Sequence, residues 1–316
     1  MYYFDQLIDH KNPSLGTFKQ RYFHTWEYYK PGEVAISSVA GGQPNLSEGG
    51  PIILSTPGEV PFDFFFSYLT NATIMGTIAQ ETNGATIILE HRFYGESNPY
   101  PDLSIESFRV HTIQQAIEDL EYFANNVVLA MPGGDQVAPH QVPWIYAGGS
   151  YAGALASWTM VSKPGLFHAA YSSSGVVQAI VDFWEYFEPI RENMPKNCSS
   201  DVQTVLNHLD KVFSAGNTTA IQEVQKTFGL QALKNPIDFL SALRNNLWDW
   251  QRLQPNTGSL SIFHRFCDQI EMKSGVPGPE EGWGLDHALV AWGKFWRREY
   301  YPYPVNNNAR SWFWIV

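Results

Sequence analysis

The residues whose types and spacing point most clearly to chemistry are Gly148-Gly149-Ser150-Tyr151-Ala152-Gly153. They stand between an apolar, strand-like run at 143–147 and a helix-like run at 154–162. Small residues around a serine allow the tight strand-to-helix turn called a nucleophile elbow, which pushes the hydroxyl out of the fold. The pattern predicts that Ser150 is a covalent nucleophile. It also predicts that the amide of Tyr151, at a helix N-terminus, points to where an oxyanion would form.

A serine hydroxyl is a weak nucleophile unless a base accepts its proton. In hydrolases with such an elbow, the acid and the histidine follow the serine along the chain, on loops after later strands. The histidines that follow Ser150 all lie within segments of strand or helix pattern: His168, His208, His264 and His287. We therefore predict that the base and the acid of the triad are absent from this chain.

The segment around the elbow alternates between strand and helix patterns. The apolar runs 52–54, 85–89, 143–147 and 167–172 read as strands, and residues 65–81 and 112–130 read as helices. This alternation predicts a parallel sheet covered on both faces. The helical period over 112–130 places Asp119 and Glu121 on the wet face of the helix. Alternating residues at 22–28 predict an antiparallel strand at the edge of the sheet.

The pattern changes after Val177. Residues 180–300 show helical spacing and Trp-rich stretches with few strand candidates, which indicates a helical cap inserted into the sheet domain. We predict an α/β fold whose core occupies residues 1–178 and whose helical cap occupies residues 179–305. Residues 306–316 then read as the start of a return to the core.

Composition excludes some classes of protein. Of the 316 residues, 20 are Lys or Arg and 31 are Asp or Glu, so the net charge is 20 − 31 = −11. No basic stripe is available to bind the phosphates of a nucleic acid. No apolar run approaches the ~18 residues of a membrane span. The cysteines and histidines show no metal-ligand spacing, so neither a metal nor an organic cofactor is expected.

Other features bear on the compartment of the protein. The N-terminus carries Asp5 and Asp9 and no basic region, unlike a signal peptide. Four N-glycosylation sequons nevertheless favour secretion, and they begin at Asn45, Asn71, Asn197 and Asn217. Cys198 and Cys267 pair either with each other or with cysteines outside this chain, and the sequence does not choose.

Several motifs together resemble those of the proline-specific serine peptidase family. This family includes lysosomal Pro-X carboxypeptidase, dipeptidyl peptidase II and fungal acid prolyl endoproteases. The matching segments occur in the family's order and spacing, and they are residues 4–10 (FDQLIDH), 17–23 (TFKQRYF), 56–59 (TPGE), 90–97 (EHRFYGES) and 148–153 (GGSYAG). The resemblance covers nearly the whole chain. One departure is Ala152, where many members have Gly or Ser, but alanine is small enough for the elbow to form.

The resemblance implies an α/β-hydrolase fold with a helical cap inserted after the strand that follows the elbow. It also implies hydrolysis after proline through an acyl-enzyme on Ser150. Family members carry the catalytic Asp and His beyond the cap, in an Asn-Gly-x-x-Asp-Pro-Trp motif and a Gly-x-His motif. Neither motif occurs here, so the resemblance implies a C-terminally truncated member without its catalytic Asp and His.

Other candidate site residues have two interpretations each. A second oxyanion donor is expected near Gly58 and Glu59, where the alternative is an ordinary turn. Glu59 could instead contact a substrate amine. Trp184, with its aromatic neighbours, either lines a proline pocket or packs in the core of the cap. The charged run from Glu90 to Arg92 is better explained by buried ion pairs than by a charged site.

The expected substrates are proline-containing peptides, and the expected location is secreted or vacuolar/lysosomal. Neither a nucleic-acid nor a membrane partner is expected, and a homodimer is left open. Two other functions also remain open. The alternatives to the peptidase are an esterase of the same fold and a fragment without catalytic activity.

Overall fold

The computed structural model describes residues 1–31, 49–300 and 307–315. The chain divides into two compact units, Met1–Ala179 with Val305–Val316, and Ile180–Pro304. The sequence predicted boundaries immediately after residues 178 and 305. The sequon at Asn45 and the first residue of the expected return to the core, Asn306, lie outside the described residues.

The first unit contains a six-stranded sheet in the order β1-β2-β4-β3-β5-β6. Strands β3 to β6 are parallel, whereas β2 runs antiparallel to β4 and β1 antiparallel to β2. The strands are β1 Tyr2–Leu7, β2 Thr17–Thr25, β3 Ile52–Ser55, β4 Ala85–Leu89, β5 Trp144–Gly149 and β6 Ala169–Ser173. The predicted α/β alternation is therefore present in a mixed sheet.

The antiparallel strand predicted at 22–28 corresponds to β2, but the prediction that it lies at the edge of the sheet was wrong. Strand β2 pairs on both sides, and β1 forms the edge. Strand β1 alternates between exposed and less exposed positions, with Asp5 paired to Lys19 on its surface, so no continuous apolar run marks it in the sequence. The central strands β3 and β4 are buried at every position, which is why their unbroken apolar runs were readable from the sequence.

Helices cover the sheet of the first unit. They are α1 Ile74–Thr82, α2 Ile113–Asn126 and α3 Ser150–Ser162, with 3-10 helices at Pro13–Leu15, Phe62–Phe64, Phe66–Leu69 and Ser107–Val110. The predicted helix at 65–81 is thus divided in two. At Gly76 a Cβ would lie 1.9 Å from the carbonyl oxygen of Thr70, so the break folds back closely onto the following helix.

The second unit is mainly helical. Its helices are α4 Glu188–Asn193, α5 Lys196–Ser214, α6 Thr218–Phe228, α7 Pro236–Leu243, α8 Asn245–Trp248, α9 Ile262–Glu271 and α10 Leu285–Tyr300. Short 3-10 helices at Trp184–Tyr186 and Asp249–Arg252 and the two-residue strands β7 Met272–Lys273 and β8 Val276–Pro277 complete it. A buried disulfide between Cys198 and Cys267 joins α5 to α9, which settles the pairing that the sequence left open.

The last helix, α11 Asn307–Ile315, belongs to the first unit. Its residues bind the segments that follow β4. Ser311 donates to the carbonyl oxygen of Phe93 over 2.9 Å, and the Trp314 indole donates to that of His111 over 3.0 Å. Phe93 has φ +65, a strained conformation for a bulky residue. The hydrogen bond from Ser311 therefore fixes helix α11 to a residue whose backbone is strained.

Two buried ion pairs follow β4, as the sequence predicted. Glu90 accepts a bidentate pair of hydrogen bonds from Arg21 over 2.6 and 2.8 Å. Arg92 donates to both carboxylate oxygens of Asp119 over 2.5 and 2.6 Å. All four side chains are buried. The prediction that Asp119 faces water was wrong, because the charge of Arg92 on the neighbouring segment draws this carboxylate into the core.

The cost of breaking the Arg92–Asp119 pair is testable. Asp119→Asn leaves the guanidinium of Arg92 buried without a counter-charge, and we expect a loss of about 3–5 kcal/mol in the free energy of unfolding. The control is Glu106→Gln in the exposed pair with Arg109, whose side chains are both 72% exposed, and its expected loss is below about 1 kcal/mol. Urea denaturation measures both, and equal losses would contradict the assignment.

Candidate active site

Ser150 lies where strand β5 ends and helix α3 begins. Its φ is +55, in the left-handed region, and its side chain is exposed. This conformation costs a non-glycine residue on the order of 1–3 kcal/mol and persists only where the surroundings enforce it. The turn therefore presents the serine hydroxyl to solvent at the edge where the parallel strands end, as the sequence pattern of an elbow requires.

Close packing explains the glycines around the serine. A Cβ on Gly148 would lie 2.3 Å from the carbonyl oxygen of Ala152, and one on Gly153 would lie 2.8 Å from that of Ser173. At Gly149 the nearest atom would be 3.9 Å away, which is an ordinary contact. Ala152, the departure from the family pattern, is buried without disturbing the turn. Gly148 and Gly153 are the positions at which this turn excludes a side chain.

Tyr151 has its amide in the first turn of α3 and its ring in the core. The Tyr151 hydroxyl lies 3.0 Å from Nε2 of His91, and Nδ1 of His91 lies 2.8 Å from the carbonyl oxygen of Arg92. Because a carbonyl only accepts, Nδ1 carries the proton, and neutral Nε2 accepts from the tyrosine. Burial lowers the pKa of His91 to about 4, which keeps the imidazole neutral in mildly acidic solution.

The loop after β3 lies against the elbow. Gly58 has φ +81, and a Cβ there would lie 3.7 Å from the backbone nitrogen of Ala152. Glu59 accepts a side-chain hydrogen bond from Trp312 of helix α11, and burial raises the pKa of its carboxyl group. Burial raises the pKa of Tyr151, and the charge of Glu59 adds to this rise. This loop therefore lies against the first turn of α3, and its part as a second oxyanion donor stays a prediction.

The histidines after Ser150 do not form a base with it inside the first unit. The amide of His168 donates to the carbonyl oxygen of Trp144, beside the start of β5. Ser150 follows the other end of that strand, where Gly149 pairs with Ser173. Five residues of strand separate these two positions, a distance of about 16 Å. His208, His264 and His287 lie on helices α5, α9 and α10 of the second unit.

Trp184 also belongs to the second unit, in the 3-10 helix Trp184–Tyr186. The residue is 60% exposed. Its part in binding a proline ring stays a prediction.

Two contacts of the site were not predicted from the sequence. One is the hydrogen bond from Tyr151 to His91, and the other is the hydrogen bond from Trp312 to Glu59. The only sequence signal for the first was a run of three polar residues directly after a buried strand. No local pattern points to the second, because it joins residues far apart in the chain.

The mixed sheet and a strained serine between a strand and a helix define an α/β-hydrolase fold. Residues 6–238 match the model of the family described as serine carboxypeptidase S28. The chain belongs to this family of serine-type peptidases, which confirms the family that the motifs indicated.

Curated relatives agree with this family. A serine protease of Bipolaris victoriae is 35% identical over 268 residues, which cover 85% of this chain and 47% of that protein. A probable extracellular serine carboxypeptidase of Arthroderma benhamiae is 37% identical over 72% of this chain and 32% of its own length. Mouse lysosomal Pro-X carboxypeptidase is 26% identical over 76% of this chain and 44% of its own length. The chain thus spans less than half the length of these relatives.

The packing of the elbow predicts a difference between its adjacent glycines. Gly148→Ala forces a Cβ into the backbone of Ala152, and we expect a loss of about 3 kcal/mol or more in unfolding free energy. Gly149→Ala is the matched control, because Gly149 has φ −118 and ψ 153, and its expected change is within about 1 kcal/mol. Denaturation curves test this, and tolerance of alanine at both positions would refute the close packing.

The conformation of Ser150 predicts an inverted order of two small residues. Glycine adopts positive φ without strain, so Ser150→Gly should be more stable than Ser150→Ala by about 1 kcal/mol. At Val161, on the exposed side of the same helix, glycine should instead be less stable than alanine by about 1 kcal/mol. Thermal unfolding of the four variants measures both differences, and the same sign at both positions would contradict the left-handed conformation.

Proposed function

We propose that the whole protein is a serine peptidase that cleaves peptide bonds after proline through an acyl-enzyme on Ser150. The observation that carries this proposal is the left-handed conformation of Ser150, with its exposed side chain, in a chain of the S28 family. The proline preference rests on the motif resemblance and on the name of one relative, lysosomal Pro-X carboxypeptidase.

In the proposed reaction, Ser150 Oγ forms a bond to the carbonyl carbon of the scissile peptide, and its proton passes to a histidine base. The amide of Tyr151 binds the developing oxyanion, together with a backbone N–H of the Gly58–Glu59 loop. The base then protonates the leaving amine, and water hydrolyses the acyl-enzyme. This division of roles needs no metal and no organic cofactor.

The base is proposed to come from outside this chain. His91 and His111 follow β4 but are buried, and burial lowers the pKa of His111 to about 2. Their ring nitrogens bond Tyr151, Arg92 and Ser311. His168 lies beside the start of strand β5, at the opposite end of that strand from Ser150. These placements favour a second possibility, that the chain by itself is catalytically inert.

Two contacts with the substrate are proposed. The Glu59 carboxylate is half-buried beside the elbow, and among the described residues no ion pair involves it. A substrate amine would supply the missing cation. Trp184 exposes an aromatic face on which a proline ring could pack, and its neighbours in the 3-10 helix would extend that surface.

The location is proposed to be extracellular or vacuolar/lysosomal, and the protein to be a glycoprotein. The names of two relatives contain the words extracellular and lysosomal. Among the described residues, no helix is both long and apolar enough to cross a membrane. The expectation of no nucleic-acid or membrane partner remains a prediction, and a homodimer remains open.

A fluorophosphonate probe tests the nucleophile and the missing base. The chain alone should not be labelled at Ser150, whereas a chimera that continues it with the C-terminal half of the Bipolaris victoriae relative should be labelled there. The Ser150→Ala chimera is the control and should stay unlabelled. Rapid labelling of Ser150 in the chain alone would show that a base is already present.

The labelled chimera also tests the substrate. It should hydrolyse peptides with proline before the scissile bond at least about tenfold faster than the same peptides with alanine there, which corresponds to about 1.4 kcal/mol in transition-state binding. Activity on short acyl esters without peptide hydrolysis would favour the esterase instead.

A further inference from the structure

Three of the four sequons lie in described residues, and their asparagines differ in exposure and in hydrogen bonding. An N-linked glycan is attached to Nδ2 of the asparagine and requires a surface position. The side-chain amide must therefore be reachable, and one of its two hydrogens must be replaceable.

Asn217 meets both conditions. It is the N-cap residue of α6, and its Oδ1 accepts from the amides of Thr219 and Ala220 over 3.1 and 3.2 Å. These bonds turn Oδ1 toward the helix and Nδ2 away from it. The three residues of the sequon, 217–219, are all exposed. A glycan on Nδ2 would leave the cap intact.

Asn71 is also exposed, before helix α1. Its Nδ2 donates to Oε1 of Gln80 over 3.0 Å, a contact at the surface. A glycosylated amide keeps one N–H, so this single bond can survive the modification.

Asn197 differs on every count. It is half-buried, its Nδ2 donates to the carbonyl oxygen of Gly278 over 3.3 Å, and its side chain lies near enough to the Glu271 carboxyl group to lower the pKa of that group against the larger, raising effect of burial. The next two residues are buried, Cys198 in the disulfide and Ser199 in a hydrogen bond to the backbone of Arg191. A glycan here would break the contacts that hold the start of α5.

We propose that the folded protein carries N-linked oligosaccharides on Asn71 and Asn217 and none on Asn197. This inference rests on the proposed passage through a secretory pathway, but not on the proposed peptidase activity. The donor would be a polyprenyl-diphosphate-linked oligosaccharide. The Nδ2–C1 bond forms as the bond from C1 to the diphosphate breaks, and one amide proton is released.

Site occupancy can be measured directly. The chain is secreted from yeast behind a heterologous leader, in a Ser47→Ala background that removes the sequon at Asn45. Enzymatic deglycosylation in ¹⁸O-water converts each occupied asparagine to labelled aspartate, which peptide mass spectrometry detects. Label is expected at positions 71 and 217 and not at 197. If secretion fails, the same measurement is made on protein purified from the cells.

Matched variants give an independent readout by gel mobility. Thr73→Ala and Thr219→Ala should each remove one glycan, whereas Thr73→Ser and Thr219→Ser keep the sequon and should leave the mobility unchanged. Ser199→Ala should also cause no change. Label at Asn197 in monodisperse protein, or its absence from either Asn71 or Asn217, would overturn the proposal. Neither result depends on whether Ser150 reacts.

Discussion

The run Glu90-His91-Arg92 places three ionisable side chains in the core directly after strand β4, and the rest of the first unit depends on how they are paired. Burying a charge without a partner costs several kcal/mol or more. Glu90 binds Arg21 of β2, Arg92 binds Asp119 of α2, and His91 binds Tyr151 of the elbow. One short segment thus joins the antiparallel part of the sheet, a covering helix and the candidate nucleophile turn.

The pairing also limits which neighbours the segment tolerates. A Cβ on Gly95 would lie 2.1 Å from Oε1 of Glu90, and Gly95 has φ +55, so that position requires glycine. Acid destabilises the same network through two of its members, Asp119 and His91. Burial opposes the charge of Asp119, but Arg92 and His10 overcome it and lower the pKa of Asp119, so its contribution to stability is lost only as pH falls through this lowered pKa. His91 has its pKa lowered to about 4 by burial, so its neutral form costs stability once pH falls below the ordinary value near 6.5.

The sequence predicted the parts of this arrangement that are local. Strands β3 and β4 could be predicted because parallel strands that are buried on both faces are mainly apolar. The turn at Ser150 could be predicted because its close packing requires small residues on either side of the serine. Asp119 shows the limit of helical periodicity, which describes one helix and does not detect a charge on a neighbouring segment. The edge position of β1 and the bond between Trp312 and Glu59 are set by tertiary contacts that have no local pattern. The disulfide was left open for the same reason, because its geometry exists only once α5 and α9 are packed.

Ser150 is strained before any substrate or base is present, and the structure shows what maintains that strain. Gly148 and Gly153 let the backbone of the elbow approach that of Ala152 and Ser173, and the buried ring of Tyr151 is fixed by His91. Relaxing the serine to negative φ would have to displace one of these contacts. The turn is therefore organised by strand β5, strand β6 and the segment after β4, all within the first unit. Its geometry does not require the catalytic acid or base, which is why the nucleophile turn is formed here although none of the histidines in the described residues is hydrogen-bonded to Ser150.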